Sequence, residues 1–281
     1  MAHEWKNKVV LITGAASGIG ARVVKLLLEE GVRYVAILDI AVDSRKKLQD
    51  ELNEKYKENR VKFIKCDVTN EEQLSGAFRT VIDENGYLDV VINNAGIMND
   101  SLKTYKKEID INLTALVTGT LKAFEIMRKD ENGRGGTVIN ISSVAGLCQT
   151  PQLPIYWATK AAVIQFSNCI GVKEYYSRTG VRVLTVCFGV TNTALLEGKN
   201  IDSFDEEMSK ALKNTPIPDK QRCEYIEQIS AKVLKVFKSG ESGSTWLVAS
   251  DQPAEEITHT IKSAYGLMAR HVFPDENATN H

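Results

Sequence analysis

Short apolar runs rich in valine, isoleucine and leucine recur along the chain, separated by longer stretches in which apolar residues return every three to four positions. A short run buried on both faces reads as a strand of a parallel sheet, and the longer period reads as a helix packed by one stripe. The pattern predicts strands at 8–12, 33–39, 61–65, 88–92, 136–141, 181–187 and 244–249. It predicts helices at 18–30, 43–57, 71–85, 102–129, 156–178 and 219–239, with Gly31, Gly86 and Gly180 just past three of them, where helices stop. Such alternation gives an α/β fold: a doubly wound, seven-stranded parallel sheet with helices on both faces. Its ligand crevice lies outside the carboxyl ends of the strands.

α/β sheets of this size fold as one unit, so residues 1–268 read as a single domain and 269–281 as a flexible tail. One stretch departs from the alternation. Residues 191–218 are polar, punctuated by Pro216 and Pro218, and only weakly periodic, which suits a lid over a substrate site. With 43% hydrophobic and 25% charged residues the chain can bury a large core. Thirty-five basic against 36 acidic residues leave a net charge of -1, so neither nucleic acid nor membrane insertion is expected and a small-molecule partner fits better. No apolar stretch is long enough to span a bilayer and the first residues lack a signal-peptide core, which together suggest a cytoplasmic protein. The five cysteines are scattered and never spaced Cys-x-x-Cys, so they read as reduced thiols rather than disulfides or zinc ligands.

The first strand runs into Thr13-Gly14-Ala15-Ala16-Ser17-Gly18-Ile19-Gly20 and then a helix. Glycines let the backbone approach a ligand, and the free N–H groups and positive dipole end of the helix favour a pyrophosphate, as in Rossmann-type folds. The second strand ends in Asp39, followed by Ile40. A carboxylate there can bind ribose hydroxyls and repels a 2′-phosphate, so NAD is expected over NADP. Cys66-Asp67-Val68 after the third strand and Asn93-Asn94-Ala95-Gly96 after the fourth can complete the crevice, the first against adenine.

Tyr156 and Lys160 lie four residues apart in a helical pattern, hence on one face and one turn apart. An ammonium beside a phenol stabilises the phenolate and makes it a usable base. Ser143, at the end of the fifth strand, can hold a substrate oxygen, with Ser142 as the competing choice.

Taken together, Thr13-Gly14-x-x-x-Gly18-x-Gly20, Asn93-Asn94-Ala95-Gly96, Asn112, Ser143 and Tyr156-x-x-x-Lys160 resemble the motif set of the short-chain dehydrogenase/reductase family. The resemblance implies that Tyr156 is the acid/base and that Lys160 lowers its pKa and binds the nicotinamide ribose. It further implies that Ser143 positions substrate, that Asn112 holds a water linking Lys160 to solvent, and that no metal takes part. Within the family the chain resembles the NAD-dependent 15-hydroxyprostaglandin dehydrogenase branch and the insect alcohol dehydrogenases. In that branch Val190, Thr191, Asn192 and Thr193 fall at the carboxamide end of the cofactor. Phe188 stands where the family usually has proline, and Leu153 stands where the prostaglandin enzyme has a substrate-binding glutamine.

The expected activity is hydride transfer between NAD and a secondary alcohol on an apolar molecule, such as a hydroxy fatty acid, prostanoid, steroid or isoprenoid alcohol. The alternatives are an enzyme for small alcohols or a catalytically idle NADH sensor or scaffold. The helix at 156–178 carries Ala161, Ala162, Val163, Ile164, Phe166, Cys169, Ile170 and Val172, more than one sheet face covers. A homodimer or homotetramer built on this helix and on 102–129 would bury the excess; loops of the same chain are the alternative cover.

Overall fold

The computed structural model describes residues 3–56, 60–196, 201–214, 222–223, 226–249 and 252–272. Six strands build the first part of the sheet: β1 (Val9–Thr13), β2 (Tyr34–Asp39), β3 (Val61–Lys65), β4 (Val90–Asn93), β5 (Gly136–Ser143) and β6 (Val181–Phe188). Val190–Thr191 (β7) and Arg222–Cys223 (β8) form a separate parallel pair. Ser244–Val248 (β9) and Glu255–Glu256 (β10) return to the main sheet, whose order is β10-β9-β6-β5-β4-β1-β2-β3. The seven expected strands are all present and parallel, and β10 adds an eighth, antiparallel to β9. Two residues long and acidic, β10 carries no apolar signal in the sequence.

Successive residues of each strand serve opposite faces. Val10, Ile12, Val35 and Ile37 join one core cluster, while Val9, Leu11, Ala36 and Leu38 join the other. Burial on both faces is why the strands read as unbroken apolar runs. The first face is covered by α1 (Gly18–Glu29) and α9 (Ile226–Ser239) and the second by α3 (Glu71–Asn85) and α5 (Ala115–Met127). α2 (Val42–Lys55) runs between β2 and β3. Gly86 ends α3 in the left-handed conformation that glycine adopts without strain. The sheet order reverses between β1 and β4, which opens the crevice at their carboxyl ends.

Two expected helices are interrupted. The helix at 102–129 is α4 (Tyr105–Ile109), a π-turn at Asp110–Thr114, and then α5. The π-turn coincides with Asn112, whose amide is bonded inward to the backbone of Ile97. The helix at 156–178 divides into α6 (Pro154–Ile170) and α7 (Lys173–Thr179). Gly171 separates them, and a Cβ there would stand 2.6 Å from Gly243 Cα. Two helices were not expected: α8 (Glu206–Asn214), inside the polar stretch 191–218, and α10 (Thr258–Ala269), which continues past residue 268. Residues 197–200, 215–218 and 273–281, parts of the expected lid and tail, lie outside the described residues. Among the described residues no helix is long and apolar enough to cross a membrane.

Candidate active site

The β1–α1 turn sits against the β4 turn at the sheet's switch point. Gly14 has φ +63° and a Cβ there would lie 2.6 Å from Ala95 Cα; at Gly20 it would lie 2.6 Å from Gly14 O. Side chains cannot enter this contact. Thr13 Oγ1 accepts from the N–H groups of Asn94 and Ala95 at 3.0 and 3.1 Å, and Asn94 Nδ2 donates to the carbonyls of Thr13 and Gly14 at 3.0 and 2.9 Å. The two turns are thereby sewn together.

Next to that closed contact the start of α1 is open. Ser17 precedes the helix in extended conformation without capping it through its side chain, and Ser17 and Gly18 are exposed while Ile19 is partly buried. A Cβ on Gly18 would meet only Thr193 Cγ2, at 4.0 Å. Uncapped first-turn N–H groups at the positive end of a helix fit an anionic diphosphate. Thr193 stands opposite, and before it Val190 and Thr191 form β7, with Thr191 Oγ1 donating to Gly189 O at 3.1 Å. Asp39 borders the turn: its Oδ2 accepts from Ala16 N–H at 3.0 Å and its Oδ1 from Ala41 N–H at 2.9 Å, and Ile40 beside it is exposed. Asp67 Oδ1 accepts from the Thr69 hydroxyl and N–H, which hold its carboxyl below the usual range, and Val68 is part-buried. The open start of α1 suits a pyrophosphate and the anchored Asp39 carboxylate suits ribose hydroxyls.

Tyr156 and Lys160 lie on the inner face of α6, 6% and 5% exposed, with Lys160 Nζ 5.6 Å from the Tyr156 ring centre. Lys160 Nζ donates to Ile141 O at 3.4 Å, and a Cβ on Gly96 would approach it to 3.5 Å. Burial pushes the Tyr156 phenol up to about 12, against a hydrogen bond from the Ser143 hydroxyl that favours the phenolate. Burial pulls the Lys160 ammonium down to about 8. Of the two serines, Ser143 reaches the phenol; Ser142 donates to Lys160 O at 2.8 Å and ties β5 to α6. Asn112 is fully buried, its Oδ1 accepting from Ile97 N–H and its Nδ2 donating to Ile97 O, and so holds the chain that follows Gly96. Phe188 extends β6 by one pair, opposite both Ser143 and Val248. Proline would remove the donor from that end of the strand.

Leu153 is buried beside Tyr156 in an apolar cluster with Met98 and Ala145, against which Trp157, Leu195, Leu196, Ile201 and Leu212 pack. Of these, Leu153 was singled out from sequence, and Leu195, Leu196, Ile201 and Leu212 fall within the stretch 191–218 read as a lid. Met98, Ala145 and Trp157 come from three other segments, and no spacing links them. Asp100 and Glu108, both fully buried, also meet this site without any local pattern to mark them.

The sequence model of the short chain dehydrogenases matches residues 8–203. The chain is 38% identical to the 15-hydroxyprostaglandin dehydrogenase [NAD(+)] of Macaca fascicularis, over 68% of this chain and 71% of that protein. It is 32% identical to alcohol dehydrogenase 2 of Ceratitis cosyra, over 91% and 96% of the two chains. A crystal structure of a short-chain type dehydrogenase/reductase from Mycobacterium marinum superposes with a TM-score of 0.72 at 26% identity, over 88% of this chain and 96% of that one. With the motif residues gathered at one crevice and these likenesses spanning most of its length, the chain belongs to the short chain dehydrogenase family.

Proposed function

We propose that the protein is an NAD-dependent dehydrogenase acting on a secondary alcohol carried by an apolar molecule. One observation carries this reading: the Tyr156 phenol, with the Ser143 hydroxyl beside it, is buried with Lys160 at the edge of an apolar cluster. Ser143 orients the substrate oxygen, and Tyr156 takes the hydroxyl proton during oxidation or returns it during reduction. Lys160, its ammonium 5.6 Å from the Tyr156 ring centre, is the nearby positive charge that would favour a phenolate during turnover, and Asn112 holds the backbone around Gly96 against it. Gly14, Ser17, Gly18, Ile19 and Gly20 receive the pyrophosphate, Asp39 and Ile40 the adenosine ribose, and Asp67 and Val68 the adenine. Asn94, Ala95, Gly96, Val190, Thr191 and Thr193 line the nicotinamide half, and Tyr156 and Lys160 border it. When bound in this crevice, NAD would supply the hydride acceptor for oxidation and its reduced form the donor for reduction.

The cluster of Met98, Leu153, Leu195, Leu196, Ile201 and Leu212 favours a hydroxy fatty acid, prostanoid, steroid or isoprenoid alcohol, with 191–218 as the lid. The 15-hydroxyprostaglandin dehydrogenase likeness supports the lipid reading and the Ceratitis likeness a smaller alcohol. Measuring NADH formation over a panel of both kinds decides. A higher kcat/KM for propan-2-ol than for every lipid alcohol overturns the apolar reading, and NADH binding without turnover of any alcohol leaves the sensor or scaffold.

We also propose a homo-oligomer paired through α5 and α6. Leu121 of α5 is 52% exposed, and Ala158, Ala161 and Cys169 are exposed on α6. Part of the apolar excess of α6 is covered within the chain, where Ile164 packs with Ile261 of α10.

A further inference from the structure

The helix that carries Tyr156 and Lys160 does not cap itself. Leu153, in the capping position of α6, has no acceptor side chain, and Pro154 has no N–H. The next amides need acceptors from elsewhere. Asp100, 0% exposed, supplies both: Oδ2 accepts from Ile155 N–H at 2.6 Å and Oδ1 from Tyr156 N–H at 3.0 Å. A carboxylate there also complements the positive end of the helix. The N–H of Asp100 donates to Asp202 O at 2.8 Å, which joins the segment bearing Ile201 to the same point.

Glu108, on α4, is equally buried. Its Oε1 accepts from Asn99 N–H at 2.9 Å, while Oε2 finds no donor among the described residues. Because Oε1 rests on the N–H of Asn99, the residue before Asp100, the two buried carboxyls are neighbours. Two carboxylates in a dry site repel, whereas one acid and one carboxylate form a strong O–H···O bond. Burial pushes the Glu108 carboxyl up to about 8, the Asn99 N–H and the Lys160 ammonium pull it down, and Asp100 pushes it up. The groups facing it are Asp100 from the loop after β4, and Tyr156 and Lys160 from α6, with Cys187 of β6 beside Lys160.

We propose that Asp100 and Glu108 hold one proton between them and together act as positioning residues for Tyr156. They clamp the first turn of α6 and set the charge that Tyr156 and Lys160 feel. A proton on Glu108 satisfies Oε2 and leaves one negative charge, on Asp100, against the helix end. Loss of that proton puts a second negative charge in the site, which opposes phenolate formation at Tyr156. That Tyr156 is the acid/base rests on the function proposed above; the shared proton and the clamp do not.

Glu108→Gln keeps an oxygen for Asn99 N–H and an N–H donor for Asp100 but cannot ionise. An unfolded glutamate titrates near ~4.3, so between that pH and about 8 the folded chain holds a proton that the unfolded chain has lost, and stability falls as pH rises through this window. Glu108→Gln is therefore expected to gain Tm relative to wild type steadily from pH 5 to 8. It should also lose an infrared band of a protonated carboxylic acid present in wild type at pH 7. A Tm that drops relative to wild type over that range, with no such band in wild type, overturns the shared proton. At pH 9 the variant's kcat/KM for alcohol oxidation should exceed wild type by up to about tenfold, one pKa unit at the phenol; an equal loss at every pH overturns the charge-setting role. Asp100→Asn should speed amide hydrogen exchange at residues 155 and 156 by about tenfold or more as the charge-assisted caps are lost. Its kcat should fall with KM for NAD unchanged. Unaltered exchange overturns the clamp. Should wild type oxidise no alcohol, the proposed function fails, while the infrared, Tm and exchange results still decide the pair and the clamp.

Discussion

A buried phenol at about 12 is protonated at neutral pH, so Tyr156 works as a base only in the small fraction of molecules that ionise. Alcohol oxidation should therefore speed up as pH rises from 6 to 9, while ketone reduction, which uses the protonated phenol, stays nearly flat, read as kcat/KM in each direction. Tyr156→Phe keeps the packing of the ring against Trp157 and removes only the proton-transferring oxygen. Turnover should fall by about a thousandfold or more, while the Kd for NADH by fluorescence titration stays near wild type. At the other end of the crevice, Asp39 is anchored by two backbone amides and cannot swing away from a 2′-phosphate. Like charges about 4 Å apart cost on the order of 4 kcal/mol at an effective dielectric near 20. Asp39→Ala combined with Ile40→Arg should turn a preference for NAD into one for NADP, measured as the ratio of kcat/KM values.

Between residues, the turns after β1 and β4 act as one element because no side chain separates them. Gly20→Ala would drive a Cβ to 2.6 Å from Gly14 O and 2.8 Å from Ala15 Cα, both backbone atoms that cannot turn aside. The turn would have to shift, at a cost of about 1–3 kcal/mol, and the N–H cradle with it. A lower Tm and an NADH Kd at least about tenfold weaker are expected. Deeper in the sheet, Asn93 Nδ2 donates to Asn140 Oδ1 at 2.9 Å, and Asn140 Nδ2 donates to Ser167 Oγ at 2.9 Å. This buried chain ties β4 and β5 to α6, the helix of Tyr156.

Across the molecule, α5 and α6 present the surface where a second copy would pair. A cleft of about 290 Å³, lined in part by Leu121, Phe124, Ile170 and Tyr175, opens on the same side. Leu121→Arg should place a charge at the centre of that contact. Light scattering should then show a multiple of 31.2 kDa for wild type and 31.2 kDa for the variant. A wild-type monomer with full activity would refute the pairing.

The seven parallel strands, the glycine turn, Asp39 and the Tyr156–Lys160 pair were legible because each rests on neighbours in the chain: two-sided burial, spacing across one helical turn, or a strand running into a turn. Ser143 and Ser142 could not be separated that way. They adjoin in sequence, and only the packing of α6 on β5 sends one hydroxyl to the phenol and the other to Lys160 O. The breaks in the two long helices were equally hidden, because an apolar period continues through Asn112 and Gly171 while the contacts that interrupt it come from Ile97 and Gly243. The same holds for Asp100 and Glu108. Local rules place carboxylates in solvent, and here tertiary structure buries two of them, since a helix that begins Leu153-Pro154 leaves amides that only a distant chain segment can satisfy.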